Sequence, residues 1–488
     1  MSEYAHRSLN SPRFGSRVVR LGGPHRRLRR QAGTSAPDTD SRIPSVLTAG
    51  KETTSDRPCV LFVQGRAAWG PYNSLRAMAE VVRARGQRAV FAMDAGFRGV
   101  AVAHGFEEAV LDRVPPPGEL VDRSEVLWEW LRDHVEHIRG STFDQLRTVI
   151  HPRLVEHIRT AEHAHPQLRA VIGEVRPDLI VVDNVVADPA VPASGIPWVR
   201  SVSANPLELT DPDLPPPFSG YSLHDRSGWD EFRSEYTRWH RDLHAVFNDF
   251  CTMQGAPPLE PLRFSHDSPW LNLYTYPAVL DYPRAPEFWE RWKRLDTVVR
   301  TGERPFRLDD HLPGRGPVIY LSLGSLGSLD SMLVQRLVDV VARTGYRAVV
   351  SMGPHHEEVH LGPAMYGAPF LPQPNVLQQC DLLITHGGSN TISEAIAAGL
   401  PMIVMPLIGD QYDNAQRVAD LGFGVRMSPY RFDSVALIDA IEKLLADDGL
   451  KQRLAEARDG IRRAPGGQVG GTLVSDLAAS SAGSSEAS

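Results

Sequence analysis

The segment LITHGGSNTISEAIAAG, residues 383–399, joins two different patterns of hydrophobicity. Residues 383–385 end a nearly unbroken apolar run, which is typical of a strand buried on both faces of a parallel sheet. After HGGSN the apolar residues return at helical spacing, and the segment ends at Gly399, a residue type that commonly stops helices. The segment therefore predicts a strand, a tight turn and a helix, as in doubly wound α/β domains.

The composition of the turn predicts an anion site. Gly387 and Gly388 would let a ligand approach the backbone closely, and the free N–H groups at the start of the helix favour a phosphate. We expect Ser389 and Asn390 to cap the helix, and the ring of His386 to offer another N–H there. An ordinary capped helix would also suit a glycine-rich turn, so the interpretation depends on the residues around it.

Polar side chains around the turn extend the predicted site. Glu394 lies four residues after Asn390 on the same helical face, and its carboxylate could accept hydrogen bonds from paired hydroxyls such as those of a ribose. The next predicted strand, 401–407, leads to Asp410 and Gln411 at the same sheet edge, where they suit a polyhydroxyl ligand. Phosphate, ribose and sugar together indicate a nucleotide sugar.

Alternating strand-like and helical segments begin at Pro58 and again at residue 317. A single core stops growing at roughly 250–300 residues, so 488 residues favour two domains. We predict two tandem Rossmann-like doubly wound parallel-sheet domains with an interdomain cleft as the ligand site. The predicted parts are a disordered tail (1–57), an N-terminal acceptor-binding domain (58–305), a C-terminal donor-binding domain (306–475) and a second disordered tail (476–488).

The composition excludes several function classes. A net charge of −7 without a basic stripe in the body argues against binding of nucleic acid or of anionic membranes. No apolar run reaches the roughly 18 residues of a membrane span. The three cysteines are isolated from one another, which predicts no disulfide framework and fits the reducing cytoplasm. Small-molecule chemistry in the cytoplasm is the expectation.

The stretch from FLPQPNVLQQC to RVADLGFGV, residues 370–425, resembles the donor-binding segment of family-1 UDP-dependent glycosyltransferases of GT-B architecture, including bacterial enzymes of natural-product biosynthesis. The resemblance implies that the turn from His386 to Asn390 contacts the diphosphate, Glu394 the ribose, and Asp410 with Gln411 the donor sugar. It also implies that Phe370 stacks on the base, that Gln373 contacts the edge of the base, and that Gly324 and Ser325 close over the phosphates. For Phe370 and Ser325, a core aromatic and a turn serine are the structural alternatives.

The resemblance implies an inverting hexosyltransferase that moves a sugar, glucose for preference, from a UDP- or dTDP-linked donor to a small natural-product-like acceptor. It implies no metal and no cofactor. Two DxD triplets, at 38–40 and 211–213, lie in the predicted tail and in a Pro-rich loop rather than after a strand. A nucleotide-sugar epimerase and a catalytically impaired nucleotide-sugar-binding auxiliary protein are the alternative functions.

The family's usual general base is missing from the sequence. Family members place a histidine after the first strand, whereas this chain has Pro71 there and no histidine between Pro58 and Ala103. Asp183, which ends the predicted strand 177–183, matches the aspartate that orients that histidine, so we assign it as the catalytic residue. A strand-end aspartate in a turn or cap is the structural alternative. An amine or acidic acceptor, or a histidine from the inserted region, could also compensate.

Histidines and aromatic residues outside these motifs are ambiguous. Helical spacing could make a metal pair of His134 and His137, but without a third ligand they resemble surface histidines, as do His163 and His165. Four aromatic residues could line an apolar acceptor pocket or pack a core, namely Trp69, Tyr72, Trp128 and Trp130.

Overall fold

Two parallel sheets form the framework of the protein. The computed structural model describes residues 47–48, 57–65, 69–113, 134–298 and 304–485. Within these residues the first sheet has the strand order β1-β4-β3-β2-β5-β6-β7-β8, and every neighbouring pair is parallel except the two-residue β1 with β4. Its strands are β1 Leu47–Thr48, β2 Cys59–Gln64, β3 Arg88–Asp94, β4 Glu107–Leu111, β5 Leu179–Asp183, β6 Trp198–Val202, β7 Leu271–Thr275 and β8 Trp292–Leu295.

The second sheet is parallel throughout and has the order β11-β10-β9-β12-β13-β14. Its strands are β9 Val318–Ser322, β10 Arg347–Ser351, β11 Met365–Ala368, β12 Leu382–Thr385, β13 Met402–Val404 and β14 Gly424–Arg426. Thr385 pairs with Ser322 on one side and with Val404 on the other. The three central strands therefore end level, and the loops that follow them converge at one edge.

Helices cover both sheets. In the N-terminal domain the α-helices that lie wholly within the described residues are Trp69–Ala84, Val100–Ala103, Thr142–Gln145, His151–Val175, Trp229–Met253 and Pro286–Arg291. In the C-terminal part they are Gly324–Gly327, Ser331–Ala342, Gln373–Leu377, Ser389–Ala398, Asp410–Asp420, Ser434–Ala446, Asp448–Arg463 and Gly466–Ser485. None of the helices in the described ranges combines the length and the apolar character that crossing a membrane requires.

The two doubly wound sheets confirm the predicted fold class. Strands β2, β5 and β12 are buried along their whole length, as their unbroken apolar runs predict for strands covered on both faces. The predicted tail 1–57 contains β1, which pairs with β4 at the sheet edge, so this part of the tail prediction is wrong. Two residues carry too little hydrophobic pattern to reveal a strand, and most of 1–57 lies outside the described residues.

The last helix, Gly466–Ser485, returns to the N-terminal domain. It packs along the helix Trp69–Ala84, and its Val474 and Ala478 are completely buried in the core of the first sheet. The predicted tail is therefore wrong over residues 476–485. Small residues hide this packing from the sequence: a Cβ at Gly471 would lie 2.5 Å from Cβ of Val81, which shows how closely the two helices approach.

We predict that Gly471→Ala lowers the free energy of unfolding by about 1–3 kcal/mol, because the added methyl group must push the two helices apart. Gly483→Ala, in the same helix with no atom within 4 Å of the new Cβ, is the control. It should leave stability unchanged or raise it by up to about 1 kcal/mol through helix propensity. Urea denaturation of both variants measures this, and equal effects would contradict the close packing.

Candidate active site

The turn after β12 places backbone N–H groups at the edge of the second sheet. Gly387 has φ +90°, and a Cβ there would lie 2.6 Å from Cγ1 of Val404, so the turn requires glycine. Gly388 is the N-cap of the helix Ser389–Ala398, and no side chain caps this helix. The prediction that Ser389 and Asn390 are caps is therefore wrong. The first N–H groups of the helix have no side-chain acceptor, which suits an anion.

The side chains of Ser389 and Asn390 make other contacts instead. Ser389 Oγ donates to Asp410 Oδ2 at 3.0 Å and accepts from Nδ2 of Asn414 at 3.0 Å. Asn390 Nδ2 donates to the carbonyl oxygen of Gly70 in the N-terminal domain at 3.0 Å. The predicted phosphate turn therefore lies against the start of the helix Trp69–Ala84, which contains Pro71, the position at which the family resemblance implies a histidine.

His386 lies at the start of the turn as a neutral ring. Burial lowers its pKa to about 4, and a backbone hydrogen bond with Ser322 opposes this shift. Its ring occupies the space beside Gly324, where a Cβ would lie 2.5 Å from the ring and where φ is +67°. Ser325, next to Gly324, is exposed. The predicted phosphate-contacting groups thus come together, and His386 can donate an N–H without carrying a charge at neutral pH.

The predicted ribose and base residues form a second group beside the turn. Glu394 is only 3% exposed and accepts from Nε2 of Gln373 at 2.7 Å, while Gln373 Oε1 accepts from Ser322 Oγ at 3.4 Å. Phe370 is 56% exposed, which excludes its alternative interpretation as a core aromatic. A ribose that reaches Glu394 would meet a carboxylate that an amide already orients.

Asp410 and Gln411, the predicted sugar ligands, differ in their contacts. Asp410 accepts from Ser389 and from the backbone N–H of Asn205 at 3.2 Å, and burial raises the pKa of its carboxyl. Oε1 of Gln411 accepts from the backbone N–H groups of Leu407 and Ile408, at 2.9 and 3.2 Å. Gln411 therefore shapes the loop after β13, and its carbonyl oxygen points to the backbone.

Asp183, at the end of β5, is buried and accepts from Ser201 Oγ at 3.4 Å. Burial raises the pKa of its carboxyl to about 7, and hydrogen bonds from Ser203 and Ser201 hold the value down. The negative charge of Glu208 raises it further. Burial raises the pKa of Glu208, and the negative charge of Asp410 raises it further, so Glu208 interacts with carboxylates of both domains. Glu208 is not predicted from the sequence. The only feature that points to it is its position in the loop after β6, at a strand end where ligands commonly bind.

Asn414 is a second residue that sequence reasoning missed. Its Nδ2 donates to the carbonyl oxygen of Gly387 at 2.9 Å and to Ser389 Oγ. Its Oδ1 accepts from Nδ2 of Asn205 at 2.8 Å and from the hydroxyl of Tyr276 at 3.0 Å. It is completely buried. Its spacing of four residues from Asp410 places both side chains on one helical face, which was the available signal.

The same helical face binds the N-terminal domain along its length. Asp413 accepts from the backbone N–H groups of Phe218 and Gly220, at 2.7 and 2.8 Å, and Arg417 Nε donates to the carbonyl oxygen of Leu280 at 2.7 Å. The helix Asp410–Asp420 therefore presents the predicted sugar ligand and also holds the loops of the other domain.

The remaining candidate residues include Trp69, whose ring centroid lies 6.5 Å from that of Phe370, and several residues outside the described ones. The rings of His134 and His137 are 6.0 Å apart, and in the described ranges no three potential metal ligands form a group. His165 is buried, not a surface residue. Tyr72 is a core residue whose hydroxyl lies 2.8 Å from Nδ1 of His104. Trp69 is 44% exposed. Trp128, Trp130 and the triplet 38–40 lie outside the described residues.

The known proteins that this chain resembles are glycosyltransferases. Residues 312–456 match the family model "UDP-glucoronosyl and UDP-glucosyl transferase", which confirms the resemblance of the C-terminal domain to this glycosyltransferase family. A zeaxanthin glucosyltransferase from Pseudescherichia vulneris is 33% identical over 174 residues, which cover 35% of this chain and 42% of that protein. The alignment thus spans less than half of the length of this relative.

Solved structures are similar over both domains. The glycotransferase of kitacinnamycin superposes with a TM-score of 0.60 at 21% identity, covering 86% of this chain and 99% of the other. Spinosyn rhamnosyltransferase SpnG, complexed with thymidine diphosphate, superposes with a TM-score of 0.57 at 20% identity. This alignment covers 85% of this chain and 99% of the other. These similarities establish the GT-B fold. The ligand-binding roles of the individual residues stay predictions.

We predict that Asn414→Ala lowers the free energy of unfolding by roughly 2–4 kcal/mol, because it leaves buried partners in both domains without hydrogen bonds. Gln452→Ala, which removes an amide from the surface of the helix Asp448–Arg463, is the control and should change stability by less than about 0.5 kcal/mol. Chemical denaturation followed by circular dichroism measures both. A difference below 1 kcal/mol between the variants would contradict the central role of Asn414.

Proposed function

We propose that this protein is an inverting glycosyltransferase that transfers a hexose from a UDP- or dTDP-sugar to a small natural-product-like acceptor, without a metal ion. The observation that carries the proposal is the uncapped N-terminus of the helix Ser389–Ala398 beside the neutral His386 ring. These groups are hydrogen-bond donors fixed in place before a diphosphate arrives. Glu394, Gln373 and Asp410 surround them with groups that suit a ribose, a base and a sugar.

The reaction would be a single displacement. An oxygen or nitrogen of the acceptor forms a bond to the anomeric carbon while the bond from that carbon to the diphosphate oxygen breaks, and the electron pair leaves with the diphosphate. The N–H groups of the turn and of His386 stabilise the charge that develops on the diphosphate. We propose metal independence because these fixed N–H donors can stabilise the charge on the departing diphosphate without a cation.

Asp183 is the base in this proposal and accepts the proton that the acceptor loses. Its pKa of about 7 is matched to proton transfer near neutral pH. The half-buried His151 and the completely buried His240, whose ring centroids are 5.4 Å apart, are the candidates for a substituting histidine, and burial lowers the pKa of both. The bound thymidine diphosphate of the SpnG structure supports a nucleoside diphosphate as the ligand class.

We predict that His386→Ala lowers turnover with the best nucleotide sugar by about 100-fold or more, because a fixed donor to the leaving group is lost. His360→Ala, an exposed histidine of the same domain, is the matched control and should retain native turnover. Product formation from UDP-glucose and dTDP-glucose with a panel of acceptors measures this. Equal kinetics of the two variants would reject the site. Donor binding by the native protein without turnover on any acceptor would instead favour the auxiliary function.

We also predict that turnover rises with pH through about 7, because Asp183 must be ionised to accept a proton and is protonated below its pKa. Asp183→Asn should remove this limb of the profile and lower the rate by about 100-fold or more. Asp309→Asn, at an exposed carboxylate, should leave the profile unchanged. A pH-rate profile of each variant is the measurement. A native limb in Asp183→Asn would assign the base to another group.

A further inference from the structure

Two large aromatic side chains face each other across the nucleotide side of the cleft. Phe370 extends from the C-terminal domain and Trp69 from the N-terminal domain, with exposed fractions of 56% and 44%. Their ring centroids are 6.5 Å apart and their planes are inclined by 41°. Exposed aromatic rings that face one another from two domains are a surface that a flat ligand can bury.

The position of Trp69 is fixed by contacts on its other side. Its ring packs against that of Phe97, with the ring centroids 4.8 Å apart. It also meets the edge of the completely buried Tyr72 ring, with the centroids 6.0 Å apart. The next residue, Gly70, accepts the hydrogen bond from Asn390 in the phosphate turn. The indole is therefore held at a set distance from the predicted diphosphate site and presents its exposed side toward Phe370.

The distance between the two rings is close to what a stacked base requires. Carbon atoms in contact are about 3.5–4.0 Å apart, so a planar base between two rings needs about 7–8 Å. The observed 6.5 Å becomes sufficient when the rings separate by about 1 Å and become more parallel. Side-chain rotation of the exposed Phe370 can supply both changes.

We infer that Trp69 is a specificity-determining residue that covers the second face of the nucleobase, so that a pyrimidine of a nucleoside diphosphate stacks between Phe370 and Trp69. The inference rests on the proposed nucleotide-sugar function and adds a contact from the N-terminal domain. It assigns Trp69 to the donor and not to the acceptor pocket. The base would then bridge the two domains, and a nucleoside diphosphate would gain a contact that a diphosphate without a base cannot make.

Calorimetric titration of the full chain with UDP and with inorganic pyrophosphate tests this. Trp69→Leu keeps an apolar side chain against Phe97 but removes the aromatic face, and should weaken UDP binding about tenfold. Its pyrophosphate affinity should stay within about twofold of the native value, because the phosphate turn is intact. Trp69→Phe should recover most of the UDP affinity. Trp270→Leu, at a tryptophan that is 46% exposed elsewhere in the same domain, is the control and should bind both ligands normally.

Native UDP affinity in Trp69→Leu would overturn the inference, and so would an equal loss for UDP and pyrophosphate, since that pattern reports a displaced helix and not a lost stacking contact. Thermal unfolding of each variant separates misfolding from loss of stacking. Trp69→Phe keeps an aromatic face with a smaller change in packing, so a loss of UDP affinity in this variant as large as in Trp69→Leu would also count against stacking. If the native protein binds neither UDP nor dTDP, the proposed nucleotide-sugar function itself fails. The two failures therefore give different results.

Discussion

The hydrogen bonds of the completely buried Asn414 side chain hold the two domains together beside the cleft. Its amide donates to the turn after β12, the predicted phosphate site, and its oxygen accepts from Asn205 and Tyr276 of the other domain. Because a buried polar atom is costly to leave unpaired, these partners are held in one geometry. The turn of one domain and the loops of the other are therefore positioned by the same side chain.

This coupling gives the proposed reaction a physical basis. Asp410 accepts from Ser389 in the turn and from Asn205 in the N-terminal domain, and it is also the predicted sugar ligand. A sugar hydroxyl that binds to Asp410 must share the carboxylate with the backbone N–H of Asn205. Glu208 extends the chain of interacting carboxylates from Asp410 to Asp183. The predicted sugar ligand Asp410 and the proposed base Asp183 are thus connected electrostatically through Glu208.

Local features of the fold and the site could be read from the sequence, whereas features created by docking could not. The strand before His386, the glycines and the helix with Glu394 are contiguous, and parallel strand order brings Asp410 to them. The contact between Asn205 and Asn414 joins residues that are 209 positions apart, and no local pattern marks it.

The helix Gly466–Ser485 has a tail-like composition because its glycines allow close packing, although glycine has a low helix propensity. The cap prediction failed because Ser389 and Asn390 bind Asp410 and Gly70.

The return of the last helix has a mechanical consequence. The chain leaves the N-terminal domain after β8 and returns to it at Gly466, where the backbone N–H donates to the carbonyl oxygen of Thr297 at 3.3 Å and an added Cβ would clash with the carbonyl oxygen of Asp296. The outgoing and returning connections therefore run side by side at one point. A rotation of one domain relative to the other would therefore bend both connections at this point and would also break the buried hydrogen bonds of Asn414 to the two domains.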